Sequence, residues 1–352
     1  MNIPEKNFQK TLNGKEIKLF TLTLDGDTKI VLTNYGGRIV SWLTPDRQGS
    51  LADIVLGFDS IDKYIEASDQ YYGAIIGRYS NRISDGTFVL NEKQYYLSNG
   101  KDGNHLHGGP GGFHTKIWEA YQCGNNKVVL KYVSENGEEG YPGRLEVYIE
   151  YKLTNEQELT IEYTAKTDRP TIISLTNHTF FNLSGRAGST IDNHKLMINA
   201  DRYTPITDTL IPTGEITDVA NTPFDFRQSK AIGKDLDQIN DQLLYGSGYD
   251  HNFVLNKTSE HRLHKAARVE EPKSGRYLEL STTEPGLQFY SGNYLDGSDI
   301  GKEGVPYYCR TGFCLEPHHF PDSPNHATFP SVVLEPDSTY NSRSIYRMGV
   351  FN

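Results

Sequence analysis

The sequence predicts an all-β protein, a large antiparallel β-sandwich with few short helices. One observation is the alternation of apolar and polar residues through 145–165, which is the period of a strand with one buried face. A second is that strand signals recur roughly every 10–15 residues with almost no helical pattern between them, as in sandwiches and barrels. A third is the composition, whose 23 Tyr, 15 Phe and 33 Gly favour strands and turns.

The length and the uniform composition indicate one unit. The 352 residues would suffice for two average domains or for one large β domain. No repeat of fixed period and no low-complexity linker interrupts the chain. We therefore expect a single domain over residues 1–352.

The first part of the chain, residues 15–58, is typical of a run of strands. Asn34–Gly37 and Pro45–Gly49 have the composition of tight turns. The apolar run Ile54–Phe58 predicts another short strand. Ile61–Tyr64 then predicts a short helical turn.

The clearest strand signal lies in the middle of the chain. Leu145–Leu153 and Leu159–Ala165 alternate in period two around the polar residues 154–157, which predicts a long antiparallel hairpin. Three further elements are expected: a strand near Lys195–Ala200, one short helix over Lys234–Leu244 and a strand over Asp250–Leu255. Residues 277–290 alternate again.

The stretch Ile172–Gly185 is the main candidate for chemistry. Its apolar beginning, Ile172–Leu175, predicts a buried strand that runs into Asn177, His178 and Thr179. Burying such polar side chains costs free energy unless they find partners, so the segment either completes a core network or lines a pocket. A core histidine satisfied by Asn177 and Thr179 is the structural alternative to a functional one.

Two more segments place polar side chains beside glycine or apolar residues. Leu106–Phe113 is too rich in Gly and Pro for regular structure, and no phosphate-loop Lys follows it, so we expect a loop that directs His107 towards a ligand. Asn81 and Arg82 follow a buried run. Arg82 could be a surface charge, but its fork of donors also suits a polyol.

Composition excludes several classes of function. The chain has 35 Lys and Arg against 45 Asp and Glu, a net charge of −10, which argues against nucleic acid and an anionic membrane as partners. No apolar run is long enough for a membrane span. Three cysteines form no disulfide framework. Residues 1–10 contain no secretory hydrophobic region, which predicts a cytoplasmic protein or a mature form whose signal was removed.

Taken together, these segments resemble the galactose mutarotase (aldose 1-epimerase) family. Six motifs occur in the family's order across nearly the whole chain, each weak alone. They are Gly77-Arg78 with Asn81-Arg82-Ile83, Leu106-His107-Gly108-Gly109, Thr176-Asn177-His178 with Phe181-Asn182-Leu183, Tyr249-Asp250-His251-Asn252-Phe253, Pro285-Gly286-Leu287-Gln288-Phe289-Tyr290-Ser291-Gly292-Asn293 and Gly312-Phe313-Cys314-Leu315-Glu316.

The resemblance implies a fold, an activity and a site. It implies a galactose mutarotase-like supersandwich with an open cleft, and an isomerase that interconverts the α and β anomers of free galactose or glucose without metal or organic cofactor, as a monomer or homodimer. Glu316 matches the general base and His178 the general acid. The sugar-binding positions it implies are His107, Arg82, Asn81, Asp250 and Gln288. In addition, Tyr290 or Phe289 could support the apolar face of the sugar ring.

The sequence departs from the family pattern at two places. Pro317-His318-His319 follows Glu316, and Glu284 stands where Gln is common. Both are expected beside the site, where they could shift sugar preference. The His pair suggests a metal, but no third ligand has a recognisable spacing.

Three other functions compete with the enzyme. A sugar-binding sensor on the same fold is the main alternative, although a sensor has no need for both Glu316 and His178. An enzyme acting on phosphorylated hexose would want more Lys and Arg around its cleft. A glycoside hydrolase would use two carboxylates such as Asp250 and Glu316, which leaves His178 without a role.

Overall fold

The computed structural model of the chain describes residues 3–24, 28–100, 103–154, 157–257 and 262–351. Antiparallel strands dominate them. In chain order the strands are β1 Lys10–Leu12, β2 Lys15–Ile17, β3 Leu19–Thr23, β4 Lys29–Thr33, β5 Arg38–Pro45, β6 Leu51–Asp53, β7 Ala74–Ile76, β8 Arg82–Ile83, β9 Thr87–Leu90, β10 Lys93–Tyr96, β11 His105–Leu106, β12 Glu119–Cys123, β13 Lys127–Ser134, β14 Leu145–Leu153, β15 Glu158–Thr167, β16 Thr171–Ile172, β17 Thr176–His178, β18 Phe180–Phe181, β19 Lys195–Ile198, β20 Arg202–Thr204, β21 Thr217–Asp218, β22 Lys230–Ala231, β23 Asp250–Val254, β24 His264–Glu270, β25 Arg276–Thr282, β26 Gly286–Tyr290, β27 Asp296–Ile300, β28 Pro306–Tyr308, β29 Phe313–His318, β30 Val333–Leu334 and β31 Tyr340–Val350.

Helices are short throughout the described residues. The α-helices are α1 Ile61–Glu66 and α2 Asp241–Tyr245, and the 3-10 turns are Glu5–Phe8, Ser84–Gly86, Phe113–Thr115, Glu138–Gly140, Ile232–Asp235, Lys302–Gly304 and Ser323–Asn325. None of these helices has the length and apolar character to cross a bilayer.

Three larger sheets form the body of the molecule. The nine-stranded sheet has the order β12-β13-β14-β15-β31-β25-β24-β19-β22, and the six-stranded sheet has the order β18-β29-β26-β23-β20-β21. A four-stranded sheet, β3 to β6, stands beside them. The Tyr346 hydroxyl on β31 donates to the carbonyl of Leu315 on β29 at 3.3 Å, which shows that the two larger sheets pack face to face. The expected sandwich is confirmed.

The predicted hairpin, β14 with β15, anchors the nine-stranded sheet. Its register pairs Ile149 with Tyr163, and every second residue of both strands is buried. A slip by one residue would turn this apolar face to solvent, and burial of each large apolar side chain contributes about 1.5–3 kcal/mol. Hydrophobic alternation therefore determines the register. Of the predicted turn, residues 155 and 156 lie outside the described residues.

The six-stranded sheet differs from the nine-stranded sheet because both of its faces are covered. On β26 and β29 the side chains of Leu287, Phe289 and Leu315 enter the main hydrophobic core. The residues between them, Gln288 and Glu316, point to the opposite face and are buried as well. That second face carries the polar residues of the site.

Three predicted elements are wrong in detail. Ile54–Phe58 is not a strand: the pairing of β6 with β5 ends at Asp53, and Val55 makes only an isolated bridge to Phe181. Lys234–Leu244 is not one helix: a 3-10 turn ends at Asp235 and α2 begins at Asp241, where the Asn240 side chain caps the new helix.

The buried strand expected at Ile172–Leu175 is also broken. Of the four residues only Ile172 lies in a strand, at the end of β16. The segment from β16 to β18 forms three short strands, and each joins a different partner: β16 pairs with β30, β17 with β7 and β18 with β29. The chain thus passes from one sheet to the next within a few residues. Local propensity could not reveal this change of partners.

Candidate active site

Strand register brings three polar residues into one row on the covered face of the six-stranded sheet. Glu316 on β29 pairs with Gln288 on β26, and Gln288 pairs with Asn252 on β23. Asp250 lies two residues before Asn252 and therefore on the same face. Alternation along three adjacent strands thus creates a polar patch over an apolar core.

His178 reaches this patch because β17 ends where the chain crosses towards β18. Its Nε2 lies 3.7 Å from Oε1 of Glu316, and its Nδ1 lies 3.5 Å from Sγ of Cys314. The second oxygen of Glu316 is buried and has no hydrogen-bond partner among the described residues. An unpaired buried acceptor costs about 1–3 kcal/mol. A hydrogen bond from a ligand hydroxyl would remove this cost, so this oxygen is available to a ligand.

The structural alternative for His178 is wrong. The Thr179 hydroxyl donates to Oδ1 of Asn177 at 2.5 Å, and Nδ2 of Asn177 donates to the carbonyl of Gly73 at 2.9 Å. These two residues satisfy each other and the backbone, and neither contacts a ring nitrogen of His178. The histidine faces Glu316 instead.

His107 comes from the glycine-rich loop and stands beside His178. The centroids of the two rings are 5.2 Å apart, and the ring planes are nearly perpendicular at 85°. The Asn81 backbone N–H donates to Nδ1 of His107 at 3.2 Å. A neutral imidazole that accepts at Nδ1 carries its proton on Nε2, so His107 presents a donor to the site. Gly108 must be glycine, since a Cβ there would lie 1.8 Å from the carbonyl oxygen of Gly77.

Arg82, Asp250 and Gln288 form a connected polar group at the edge of the site. Nε2 of Gln288 donates to Oδ1 of Asp250 at 2.7 Å, and Nη1 of Arg82 lies 3.9 Å from Oδ2 of Asp250. Asn81 is next to Arg82 and accepts its backbone N–H through Oδ1. Arg82 Nε and Gln288 Oε1 have no partner among the described residues, so both can bond sugar hydroxyls.

The aromatic residues of β26 point to opposite faces. Tyr290 lies on the site face, with its ring centroid 6.4 Å from that of His178. Phe289 packs in the core, 5.6 Å from Phe226 and 5.4 Å from Tyr249. Phe289 is therefore excluded as a support for the sugar ring, because strand alternation sends it to the other side.

Burial dominates the electrostatics of the site. It raises the pKa of Glu316 well above that of an ordinary carboxyl, with further increases from the charges of Asp250 and Asp69. It also lowers the pKa of His178 to about 3 and that of His107 well below the usual imidazole value. Burial therefore favours a protonated Glu316 and neutral histidines, so that Glu316 and His178 together hold one proton.

Glu284 and His319 lie apart from this arrangement. Nδ1 of His319 is 2.7 Å from Oε2 of Glu284, and the Tyr340 hydroxyl donates to Oε1 at 3.2 Å. Burial alone would raise the pKa of Glu284, but the charge and hydrogen bond of His319 lower it to about 2. The pair bonds to itself and not to Arg82, Asp250 or Gln288, and its effect on sugar preference stays a prediction. The adjacent His318 does act on the site, since its charge, in addition to burial, helps to lower the pKa of His178 and of His107.

A metal fits this site poorly. His107, His178 and Glu316 each offer one ligand atom, and these atoms lie within 4.8 Å of one another. However, the lone pair of His107 Nδ1 is already used by the Asn81 N–H, so Nε2 bears a proton and would have to lose it to bind a metal. The donor set suits hydrogen bonding to a polyol better.

Sequence reasoning missed two residues that border the site. The ring of Tyr71 lies 4.6 Å from that of His107 and 5.6 Å from that of His178. Asp69 precedes it and raises the pKa of Glu316 through its charge. No motif marked this segment, whose only signal was its change of composition after α1.

Comparison with known proteins gives consistent matches over nearly the whole chain. Residues 18–347 match the aldose 1-epimerase family. Galactose mutarotase of Homo sapiens is 42% identical over 337 residues, covering 96% of this chain and 95% of the relative. Aldose 1-epimerase of Escherichia coli K12 is 35% identical, covering 95% and 96%.

Solved structures agree in fold. An aldose epimerase homologue from Caenorhabditis elegans superposes with a TM-score of 0.88 at 30% identity, covering 96% of this chain and 100% of the other. Galactose 1-epimerase from Lactobacillus acidophilus superposes with a TM-score of 0.85 at 26% identity, covering 97% of each chain.

Proposed function

This chain belongs to the aldose 1-epimerase family and is a mutarotase of free hexoses, and within that activity we propose that Glu316 is the general base and His178 the general acid. The observation that carries the assignment is the 3.7 Å separation of Glu316 Oε1 from His178 Nε2. The two oxygens that exchange protons in this reaction, O1 and O5, are both bonded to C1. A base and an acid this close can reach both oxygens of one sugar.

Ring opening follows from this geometry. The step begins when the one proton of the pair lies on His178 and Glu316 is ionised. Glu316 then removes the proton from the O1 hydroxyl, the C1–O1 bond becomes a carbonyl, and the C1–O5 bond breaks. O5 takes its electron pair and receives a proton from Nε2 of His178. Rotation about the C1–C2 bond then presents the other carbonyl face. Closure reverses both transfers, so Glu316 acts as acid and His178 as base, and the enzyme ends with its original protons.

The remaining residues hold the sugar. His107 donates from Nε2, next to His178, and stabilises negative charge that develops on the ring oxygen. Arg82, Asp250 and Gln288 recognise hydroxyls, while Tyr290 on the same face supports the ring. Neutral hydroxyls suit this mixture of donors and acceptors better than a phosphate would, because the carboxylate of Asp250 would repel an anion.

The experiment that tests the function is polarimetry. Freshly dissolved α-galactose or α-glucose should lose its initial rotation faster with the protein than without it, in proportion to protein concentration. A protein that binds the sugar by calorimetry without accelerating this change would be a sensor, and the catalytic assignment would be lost.

The pH profile should be flat through neutrality. The active pair holds one proton in total, shared between Glu316 and His178. A second proton adds only below the lowered pKa of His178, and the last one leaves only above the raised pKa of Glu316. We expect a broad plateau in kcat/KM, measured by polarimetry with the spontaneous rate subtracted at each pH. A narrow optimum between the ordinary carboxyl and imidazole pKa values would contradict this scheme.

Arg82→Ala should weaken binding more than turnover. Hydrogen bonds to a charged group contribute about 1.5–3 kcal/mol, so we expect KM to rise about ten- to a hundred-fold with kcat reduced far less. The matched control is Arg144→Ala, an exposed arginine whose side chain lies 3.7 Å from Glu135. A large fall in kcat at unchanged KM would place Arg82 in the chemical step instead.

A further inference from the structure

The segment Ser68–Tyr72 lies against the site histidines, although it belongs to none of the family motifs. Tyr71 packs its ring 4.6 Å from His107, 4.9 Å from His114 and 5.6 Å from His178. An aromatic ring in contact with both catalytic-site imidazoles borders the space that a sugar would fill. The segment is therefore a wall of the site and not only a connection from α1 to β7.

Asp69 contributes a carboxylate with one unused oxygen. Its Oδ1 accepts the backbone N–H of Tyr71 at 2.8 Å. Among the described residues Oδ2 accepts no hydrogen bond and forms no ion pair, although the charge of Arg38 acts on the carboxylate. The residue is half-buried, and burial raises its pKa to about 6. A partly desolvated carboxylate gains from a hydroxyl donor that can bond this second oxygen.

The charge of Asp69 acts on the site, as that of Asp250 does. Both charges raise the pKa of Glu316 and of Tyr290. Asp69 is not among the charges that shift the pKa of Asp250, and Asp250 is not among those that shift the pKa of Asp69. Asp69 and Asp250 therefore act on Glu316 independently of each other.

A second carboxylate holds this segment in place. Asp299 on β27 accepts the backbone N–H of Ser68 at 2.8 Å and that of Asp69 at 3.1 Å. It also accepts the Tyr72 hydroxyl at 3.4 Å. Three bonds from one side chain fix the backbone of the segment that carries Asp69 and Tyr71.

We propose that Asp69 is a further substrate-binding and specificity residue, whose Oδ2 accepts a hydrogen bond from a hexose hydroxyl remote from C1, and that Asp299 is its positioning residue. The inference rests on the mutarotase activity and deepens it. It means that sugar preference is set by Asp69 as well as by Arg82 and Asp250.

Asp69→Asn tests the proposal with little structural change, because the amide keeps Oδ1 for the Tyr71 N–H and loses only the charge and the second acceptor. KM would be measured for galactose and for its 2-, 3-, 4- and 6-deoxy analogues. We expect the variant to raise KM for galactose about ten-fold or more, as for a lost charged hydrogen bond, with kcat nearly kept. One analogue, which lacks the hydroxyl concerned, should be weakened in wild type and show no further loss in the variant.

Two further variants complete the test. Asp299→Asn should reproduce the same sugar pattern in weaker form, whereas Asp62→Asn, an exposed carboxylate on α1 paired with Lys10, should match wild type. An unchanged KM for Asp69→Asn, or an equal loss for all analogues, overturns the proposal. Failure of the mutarotase assignment is distinguishable, since wild type would then turn over none of these sugars.

Discussion

Glu316→Gln is expected to reduce kcat by a factor of about a hundred or more, since general acid–base catalysis typically contributes 10²–10⁴-fold. Glutamine has nearly the same shape but cannot take the proton from O1. The neighbouring Gln288 and His178 keep their places, so sugar binding should persist. Polarimetry on α-galactose measures the rate, and calorimetry measures the binding.

The same substitution should stabilise the fold at neutral pH. In the unfolded chain the carboxyl loses its proton near its ordinary pKa, whereas burial makes the folded protein hold that proton to a higher pH. The free energy of unfolding therefore falls as pH rises through this interval. Glutamine does not ionise, so the variant does not lose this stability as the pH rises. Thermal unfolding at neutral pH should therefore occur at a higher temperature than in wild type.

Glu284→Gln is the matched control for Glu316→Gln. Glu284 is equally buried, at 3% exposure against 2%, but it pairs with His319. Its pKa is lowered, so its charge stabilises the fold above the ordinary carboxyl pKa, and its loss should lower the unfolding temperature with turnover kept. Normal turnover in Glu316→Gln would show that another residue is the base.

His178→Ala is expected to cause a loss of similar size. The variant removes the group that protonates O5, while Glu316 remains able to act on O1. Because the missing ring leaves a space beside Cys314 and Tyr290, added imidazole should restore part of the rate. Polarimetry with and without imidazole measures both effects.

Rescue of the His178→Ala rate by added imidazole separates a chemical role of His178 from a structural one. His264→Ala provides the control, since His264 lies on β24 of the nine-stranded sheet and contacts none of the site residues. It should turn over normally and gain nothing from imidazole. Near-normal turnover of His178→Ala would indicate that His107, and not His178, is the general acid.

The sequence by itself determined the class of fold. Alternation in Leu145–Leu153 and Leu159–Ala165 specifies which face is buried, and the turns at Asn34–Gly37 and Pro45–Gly49 follow from residues that tolerate turn conformations. These are local properties, carried by neighbours a few residues apart. The order of six weak motifs likewise identified the family and the residue types of its chemistry. The extent of one domain over residues 1–352 stays a prediction.

Only the tertiary structure decided which polar residues meet. His178 and Glu316 come together because β18 pairs with β29, and that pairing depends on packing between segments far apart in the chain. The division of Ile172–Phe181 among three sheets, the pairing of Glu284 with His319 and the approach of Asp69 have the same origin. Each depends on distances across the fold, which no local pattern contains.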